Sequence, residues 1–322
     1  MNDVLAAIGE ALIDFIPDRS GCAFDDVTAF SPKVGGAPAN VCAAFSHLGG
    51  KSRILTQLGN DPFGHKIIHE LKYSGVDTGC ISLTDKANTA LAFVSLGADG
   101  DRTFSFYRKP SADMLYAPES VKEEYFDDVF ALHYCSVSIG DFPMRQAHER
   151  AIEIMQKKGG IVSFDPNLRF NLWDSRDALQ KAVRDFIPKS DIVKLSEDEL
   201  EFVTGAKDIA MGAHNLFEQG VKLVLYTVGS KGAYAFTKNT HAFAPAYKVK
   251  TVDTTGAGDG FTGAFLWTLK YICREREKLP EMTEEQLLGC IEFANKFCAM
   301  SVQKKGAIAS YPTVDEMREI NM

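Results

Sequence analysis

Apolar residues fall into short runs punctuated by glycine, proline and acidic residues, and their spacing changes character along the chain. Val4–Ile8 is an unbroken apolar run closed by Gly9, the pattern of a strand buried on both faces. Ala11–Ile16 continues as an extended stretch stopped by Pro17, and residues 17–33 are mixed. Pro38–Leu48 is small and apolar and closes at Gly49-Gly50, which predicts a helix. Arg53–Leu58 predicts a strand. Asp61-Pro62 then supplies an N-cap and a first helical residue for a helix to about Tyr73, ended by Gly75. Residues 88–97 and 102–108 are β-rich runs joined by Ala98-Asp99-Gly100-Asp101, a hairpin signal. A hairpin has no place in a purely parallel sheet, so it predicts an appended flap. In it Phe104 and Phe106 alternate with Thr103, Ser105 and the amphipathic Tyr107.

From about residue 129 the rhythm is regular. Val129–Tyr134, Gly160–Phe164, Asp191–Leu195 and Val221–Val228 read as strands, and helices fall near 143–158, 175–187, 197–204 and 208–219. This βαβ alternation predicts a parallel, doubly wound sheet covered on both faces. Gly232–Phe236 folds back through Gly229-Ser230-Lys231 as a second hairpin. Tyr247–Val252 is expected as the last strand, before helices near 256–274 and 283–303. No repeat or low-complexity linker interrupts the pattern, so residues 1–322 read as one α/β domain with a small β flap built from early segments.

Composition narrows the function. With 322 residues, Lys+Arg 35 against Asp+Glu 43 gives a net charge of −8 and there is no basic run, a poor match to nucleic acid or a membrane surface. Small phosphates remain open as ligands, because backbone N–H groups bind them locally. The seven cysteines, at 22, 42, 80, 135, 273, 290 and 298, contain no Cys-x-x-Cys pair and predict neither a disulfide framework nor a thiolate zinc site. MNDVLAAIGE lacks the basic start of a signal peptide, and no apolar run reaches the roughly 18 residues of a membrane span. A soluble, cytoplasmic protein is expected.

The strongest chemical signal is Asp253-Thr254-Thr255-Gly256-Ala257-Gly258-Asp259-Gly260, opening the apolar run Phe261–Leu269. Small residues let the backbone approach a ligand, and a helix start offers free N–H groups and a positive dipole end to an anion. Asp259 in that first turn suits a base accepting a proton from a hydroxyl that attacks phosphate. It equally suits a simple dipole partner, and the residues alone leave both open. Gly258, Gly260 and Gly263 also spell G-x-G-x-x-G, but no strand with an acidic ribose partner follows, which speaks against a dinucleotide fold. Gly35-Gly36-Ala37-Pro38-Ala39-Asn40 is a second Gly-rich turn, either a polar-ligand site or a tight turn with a buried Asn. Gly50-Lys51-Ser52 lacks the P-loop glycine, since Phe45 stands there. His65 and His69 have the spacing of zinc-protease ligands, but Lys66 replaces the base, so a surface or packing role is expected. Asp165-Pro166-Asn167-Leu168-Arg169 lies just past a strand, where parallel sheets bind ligands. Ser196-Glu197-Asp198-Glu199 also follows a strand, as an acidic helix start or as a holder of Mg²⁺ through water.

Taken together these segments resemble the ribokinase-type, or PfkB, carbohydrate kinases over essentially the whole chain. The signatures are VGGAPANVCAAFSHLGG (34–50) and VDTTGAGDGFTGAFL (252–266), in that order. GEALIDFIP, FYRKPSADMLY, FDPNLRFNLW and VKLSEDELEFVTG are similar to fructokinase blocks in particular. The resemblance implies a ribokinase-like, three-layer αβα fold with a mainly parallel sheet and a β-sheet lid from about 11–33 and 88–108. It implies an ATP-binding transferase, a phosphotransferase with an alcohol acceptor, that makes fructose 6-phosphate from fructose. Asp259 would be the base, and Gly256, Ala257 and Gly258 the anion hole. Asp14, Gly35, Gly36 and Asn40 match sugar-contacting positions, and Phe106, Arg108 and Arg169 match positions near sugar or phosphate. Lys194, Glu199, Thr227, Gly229, Ser230, Gly232 and Asn295 match ATP-binding positions, with Glu199 reaching Mg²⁺ through water. Asp253, Thr255, Ser301, Gly306 and Ser310 match a monovalent-cation loop, implying K⁺. Ser196 departs from the family's Asn-x-x-Glu pattern, which Glu199 otherwise keeps. Within the same family, 2-keto-3-deoxygluconate, ribose or a riboside are alternative substrates; Arg108 and Arg169 suit a sugar acid. A regulator that has lost catalysis is the reading outside the enzymes, and the presence of Asp259 speaks against it. Family lids often meet a partner's lid, so a homodimer through the lid is expected.

Overall fold

A computed structural model of the chain describes residues 2–19, 21–22, 24–96 and 102–319. The early elements are β1 (Val4–Ile8), β2 (Leu12–Pro17), β3 (Phe30–Gly35), α1 (Ala37–His47), β4 (Lys51–Gly59), α2 (Pro62–Tyr73), β5 (Val76–Asp77), β6 (Ile81–Thr84), β7 (Leu91–Leu96) and β8 (Arg102–Tyr107). The alternating half follows as β9 (Val129–Cys135), α3 (Pro143–Lys157), β10 (Ile161–Asp165), α4 (Arg176–Phe186), β11 (Ile192–Ser196), α5 (Leu200–Thr204), α6 (Ile209–Phe217) and β12 (Leu223–Thr227). The chain ends with β13 (Gly232–Phe236), β14 (His241–Pro245), α7 (Ala257–Ile272), α8 (Glu284–Ser301) and α9 (Val314–Glu319).

The main sheet runs β14-β13-β12-β11-β10-β9-β1-β4-β5, with β6 also on β4. It is parallel from β12 to β5 and antiparallel at β13 and β14. Because strand side chains alternate, each central strand feeds two cores. Leu5 and Ala7 enter a core shared with α1, α7 and α8, whereas Val4, Ala6 and Ile8 enter one shared with α3, α4 and α6. β12 does the same, with Leu223 and Leu225 on one side and Val224 and Tyr226 on the other. Each such fully buried Leu or Ile contributes about 1.5–3 kcal/mol, which is why the strands read as predominantly apolar runs. Three layers result, helices over both faces of the sheet.

β3, β2, β7 and β8 form a separate four-stranded sheet. β2–β3 and β7–β8 are antiparallel, but β2 lies parallel to β7, so this sheet is mixed. The expected 88–108 hairpin forms as β7 and β8, while its turn at 97–101 lies outside the described residues. The register sets Lys33, Asp14, Ala92 and Phe106 side by side across the four strands, on one face. The other face carries an aromatic cluster centred on Phe93, stacked on Phe15 at 4.7 Å and edge-on to Phe30 and Tyr107.

Two expectations need correction. Residues 17–33, read as mixed, contain the start of β3, whose Lys33, Ser31 and Pro32 are exposed and give no apolar signal. Tyr247–Val252 is irregular, not the last strand; β14 is. In β14 Ala242 and Ala244 are buried between outward His241, Phe243 and Pro245, whereas no residue of 247–252 is buried. That segment instead runs to the end of α8, where Val252 and Asp253 both donate to the Val302 carbonyl. All seven cysteines are free thiols, and His65 and His69 stand exposed on α2. Among the described residues no helix is long and apolar enough to cross a membrane.

Candidate active site

The site assembles where a parallel sheet places ligands, beyond the carboxyl ends of β10, β11 and β12. Its floor is the start of α7. Gly256 caps that helix in the left-handed region, with φ 72°, and a Cβ there would meet the Tyr311 hydroxyl at 2.7 Å. The N–H of Ala257 closes the preceding turn onto the Thr254 carbonyl at 3.1 Å. This leaves the first-turn N–H groups of Gly258 and Asp259 as the donors that helix geometry offers to an anion. Of the expected anion-hole trio, then, Gly256 and Ala257 shape the turn and Gly258 presents a donor.

α7 packs directly on α1, because Gly263 brings its backbone against Ala44 and Val41. A Cβ at Gly263 would lie 2.7 Å from the Ala44 Cβ. The third glycine of the G-x-G-x-x-G pattern therefore serves helix packing. The contact aligns the two helix starts, and Asn40 Nδ2 donates to Asp259 Oδ2 at 2.8 Å. The Asn40 Oδ1 is buried with no protein partner, an acceptor suited to a ligand hydroxyl. Burial pushes the Asp259 carboxyl up to about 6. The Asn40 hydrogen bond opposes that shift, the Asp165 charge adds to it, and Lys194 and Arg169 oppose it. Asp259 is thus ionised at neutral pH yet basic enough to take a proton.

Behind Asp259 lies a buried charge network. Lys194 Nζ donates to Asp165 Oδ2 at 2.9 Å, with both side chains almost fully enclosed. Burial works against the lysine charge, but Asp165, Glu199 and Asp259 outweigh it and hold its pKa above the usual range. A Cβ on Gly258 would stand 3.2 Å from Lys194 Nζ, so the cation lies directly beside the anion turn. Glu199 buckles two loops, accepting from Leu168 N at 2.8 Å and from Ser196 N at 2.9 Å. Ser196 thus contributes its backbone to this arrangement. Arg169 is half-buried, with its Nη1 on the Leu168 carbonyl.

Gly35 and Gly36 form the expected turn at the foot of the small sheet. A Cβ on Gly35 would overlap Asp14 Oδ2, so glycine is required for Asp14 to occupy its place. Phe106 shares the Asp14 face of that sheet and stacks on Phe104. Arg108, expected near substrate, is instead buried and engaged. Its Nε donates to Asp113 Oδ2 at 2.9 Å, and its Nη2 reaches Ser138 Oγ at 3.0 Å. Ser138 donates to Glu10, which accepts from Ala37 N beside the Gly35-Gly36 turn. Arg108 therefore ties the end of β8 to the foot of α1. Burial raises the Glu10 pKa against the Arg108 charge and the Ser138 hydrogen bond.

Thr227, Gly229, Ser230, Gly232 and Asn295 come together in one cavity of about 500 Å³, which Ala257 and Gly258 also line. Its size and its place beside the anion turn suit a nucleotide. Asn295 Nδ2 is spent on the Ala244 and Pro245 carbonyls, so it shapes the wall. Asp253, Thr255 and Gly306 also converge: Asp253 accepts from Thr255 N and Oγ1 at 2.8 and 2.6 Å, and from Gly306 N at 2.9 Å. Ser301 and Ser310 pair through their hydroxyls at 2.7 Å nearby. The carboxylate and hydroxyl oxygens gathered here are of the type that a hard cation takes, while the N–H groups of Thr255 and Gly306 orient the carboxylate. Sequence reasoning missed the Asp165–Lys194 pair, the Arg108–Ser138–Glu10 chain, and the Tyr311 hydroxyl on the Gly256 carbonyl at 2.8 Å. A buried acid such as Glu10, directly after a strand, was the one available signal.

Comparison with known proteins agrees with this geometry. Residues 2–314 match the model of the pfkB family of carbohydrate kinases. Fructokinase-1 of Zea mays is 41% identical, covering 99% of this chain and 98% of its own. Fructokinase-2 of Solanum lycopersicum is 40% identical over 98% of this chain and 95% of its own. A fructokinase from Xylella fastidiosa with bound ATP superposes with a TM-score of 0.89 at 32% identity, covering 99% of this chain and 98% of that one. A fructokinase from Vibrio cholerae O395 with fructose, ADP and calcium ion bound gives 0.85 at 32% identity, over 99% and 98%. The likeness covers nearly the whole chain, and with it the chain belongs to the pfkB family of carbohydrate kinases.

Proposed function

We propose that the protein transfers the γ-phosphoryl group of ATP to fructose, giving fructose 6-phosphate and ADP. The observation that carries this is the junction of α1 and α7. It places a buried, partly basic carboxylate, Asp259, between an unpartnered buried amide oxygen and a helix-start anion site. The sugar lies against Asn40 and the Gly35-Gly36 turn, with Asp14 and Phe106 above it; the nucleotide fills the cavity that Gly258 lines. Asp259 takes the proton of the sugar hydroxyl as its oxygen bonds to the γ-phosphorus, and the bond to the bridging oxygen of ADP breaks. The N–H groups of Gly258 and Asp259, with Lys194 close behind, stabilise charge on the transferring group.

Mg²⁺, when bound with ATP, neutralises phosphate charge. Glu199 would hold it through water, since each of its oxygens accepts one backbone N–H and keeps a further lone pair. Asp253, Thr255 and Gly306, with Ser301 and Ser310 nearby, would hold K⁺ at the loop that adjoins the anion turn. Fructose is favoured by the names of the relatives, fructokinases of two plants and of a bacterium. The ion pair of Arg108 with Asp113 leaves Arg169, of the two arginines expected near the sugar, as the partner for a sugar acid. We read the chain as one cytoplasmic catalytic unit whose sheet β3-β2-β7-β8 is a lid, closing to exclude water that would compete as acceptor. Half-buried aromatics on both lid faces support a homodimer through the lid. Phe93→Asp and Phe104→Asp, one on each face, test it by sedimentation equilibrium; a wild type monomeric at micromolar concentration refutes it.

The deciding experiment for the activity is an ADP-release assay over a panel of fructose, ribose, ribosides and 2-keto-3-deoxygluconate, with the product's phosphorylated position read by NMR. Fructose should give the highest kcat/KM, with phosphate on C6. A sugar acid winning the panel overturns the substrate, and no turnover with any sugar overturns the reaction.

A further inference from the structure

The start of α7 is braced from behind. Tyr311 Oη donates to the Gly256 carbonyl at 2.8 Å, Cys298 Sγ to the Ala257 carbonyl at 3.2 Å, and Thr262 Oγ1 to the Gly258 carbonyl at 3.1 Å. A peptide group is rigid and planar, so holding a carbonyl oxygen also aims the N–H of the following residue. The peptide between Gly256 and Ala257 is the pivot of the set. Gly256 has no Cβ to restrict it and sits at φ 72°, so its own preferences do little to fix the plane. The plane is fixed instead by bonds: the Ala257 N–H to Thr254, the helical Gly260 N–H to the Gly256 oxygen at 2.7 Å, and the Tyr311 hydroxyl to that same oxygen.

Tyr311 is itself immobilised from two helices. Its ring packs against Phe297 of α8 at 5.4 Å and edge-on against His47 of α1, and its carbonyl pairs with His47 Nδ1 at 3.0 Å. It follows Ser310 directly, so one short segment joins the candidate cation loop, both helices and the anion turn. We propose that Tyr311 is a positioning residue for phosphoryl transfer: its hydroxyl locks the Gly256–Ala257 peptide, the first of the turn, and from that fixed plane the next two peptides, held at their carbonyls by Cys298 and Thr262, keep the Gly258 and Asp259 N–H groups aimed in the transition state. The proposal rests on reading the start of α7 as the phosphoryl site. Tyr311 is buried, and its hydroxyl reaches the turn through the Gly256 carbonyl.

Tyr311→Phe keeps the ring packing and removes only the hydroxyl. A lock needed in the transition state affects kcat more than ground-state binding. The variant should lose roughly three- to tenfold in kcat, the effect of one neutral hydrogen bond, while KM for the sugar and Kd for ATP stay within about twofold. Calorimetry supplies a readout besides turnover: the gain in affinity of ADP with aluminium fluoride over ADP alone should shrink by the same factor as kcat. An unchanged kcat with an unchanged fluoride gain overturns the proposal. So does a joint worsening of kcat, KM and Kd with a lowered Tm, the signature of general loosening. If the wild type turns over no sugar, the functional reading fails on that result, and an equal fluoride gain in wild type and variant then rejects the Tyr311 role separately.

Discussion

Asp259→Asn should make the protein almost inactive and, above neutral pH, more stable. Asparagine is isosteric and can accept the same Asn40 Nδ2 bond, so the cleft keeps its shape. It cannot take a proton, and loss of a general base costs roughly 10²–10⁴ in kcat. The stability effect follows from burial. The carboxyl moves from 3.8 to about 6, about two units at 1.36 kcal/mol each, so holding it ionised in the fold costs about 3 kcal/mol. The sign follows from linkage. A carboxyl whose folded pKa is raised binds its proton more tightly in the fold, so it imposes no penalty below pH 4. The penalty grows between about 4 and 6 and is complete above 6. The neutral amide of the variant escapes it. At pH 8 the variant should therefore unfold several degrees higher than wild type, and the difference should vanish near pH 4. Wild-type kcat/KM should fall with unit slope as pH drops through about 6. Coupled ADP assays and thermal scans at both pH values decide it. A variant within a few-fold of wild-type kcat refutes the base. One less stable than wild type at pH 8 refutes the claim that burial dominates this carboxylate.

Lys194→Met leaves Asp165 buried without its counter-charge and so should cost about 3–5 kcal/mol in urea unfolding. It should also move the acidic limb of the pH–rate profile upward, because Lys194 lowers the Asp259 pKa. Gly35→Ala drives a methyl into the place of Asp14 Oδ2; sugar KM should rise roughly tenfold or more with ATP Kd unchanged, read by initial rates and calorimetry. Arg108→Met breaks the buried pair with Asp113 and should destabilise by about 3–5 kcal/mol. Its kcat should fall through loss of the tie to Glu10 and Ala37, without a new preference among sugars and sugar acids in the substrate panel.

Much of this fold was legible because its forces are local. Strands buried on two faces are mostly apolar, and β1, β9, β10, β11 and β12 read that way, with polar residues such as His133, Asp165 and Lys194 as the exceptions. Asp61 and Pro62 announce α2 because a cap and a fixed φ act within one turn, and Asp61 does accept from Gly64 N. β3 and β14 were missed for the converse reason. Their buried positions are few or are alanines, and what makes them strands is a partner strand rather than their own composition. Asp259 drew notice from its Gly-rich surroundings. What sets it apart in the fold is its burial and its hydrogen bond from Asn40, 219 positions away.

The G-x-G-x-x-G at Gly258, Gly260 and Gly263 shows how one string serves two ends. In a dinucleotide fold the third glycine lets a helix close on its strand. Here Gly263 lets α7 close on α1, and that contact fixes where the two helix starts meet. Asn40 and Asp259 sit at those starts, so the distance between the donating amide and the accepting carboxylate is set by a packing glycine a turn away. A side chain at 263 would separate the helices and lengthen the 2.8 Å bond, weakening the one interaction that offsets the burial of Asp259 by hydrogen bonding. The chemistry at the helix start is therefore held by core packing on the face behind it, and the same residues appear in the sequence as a phosphate motif and in the structure as a helix crossing.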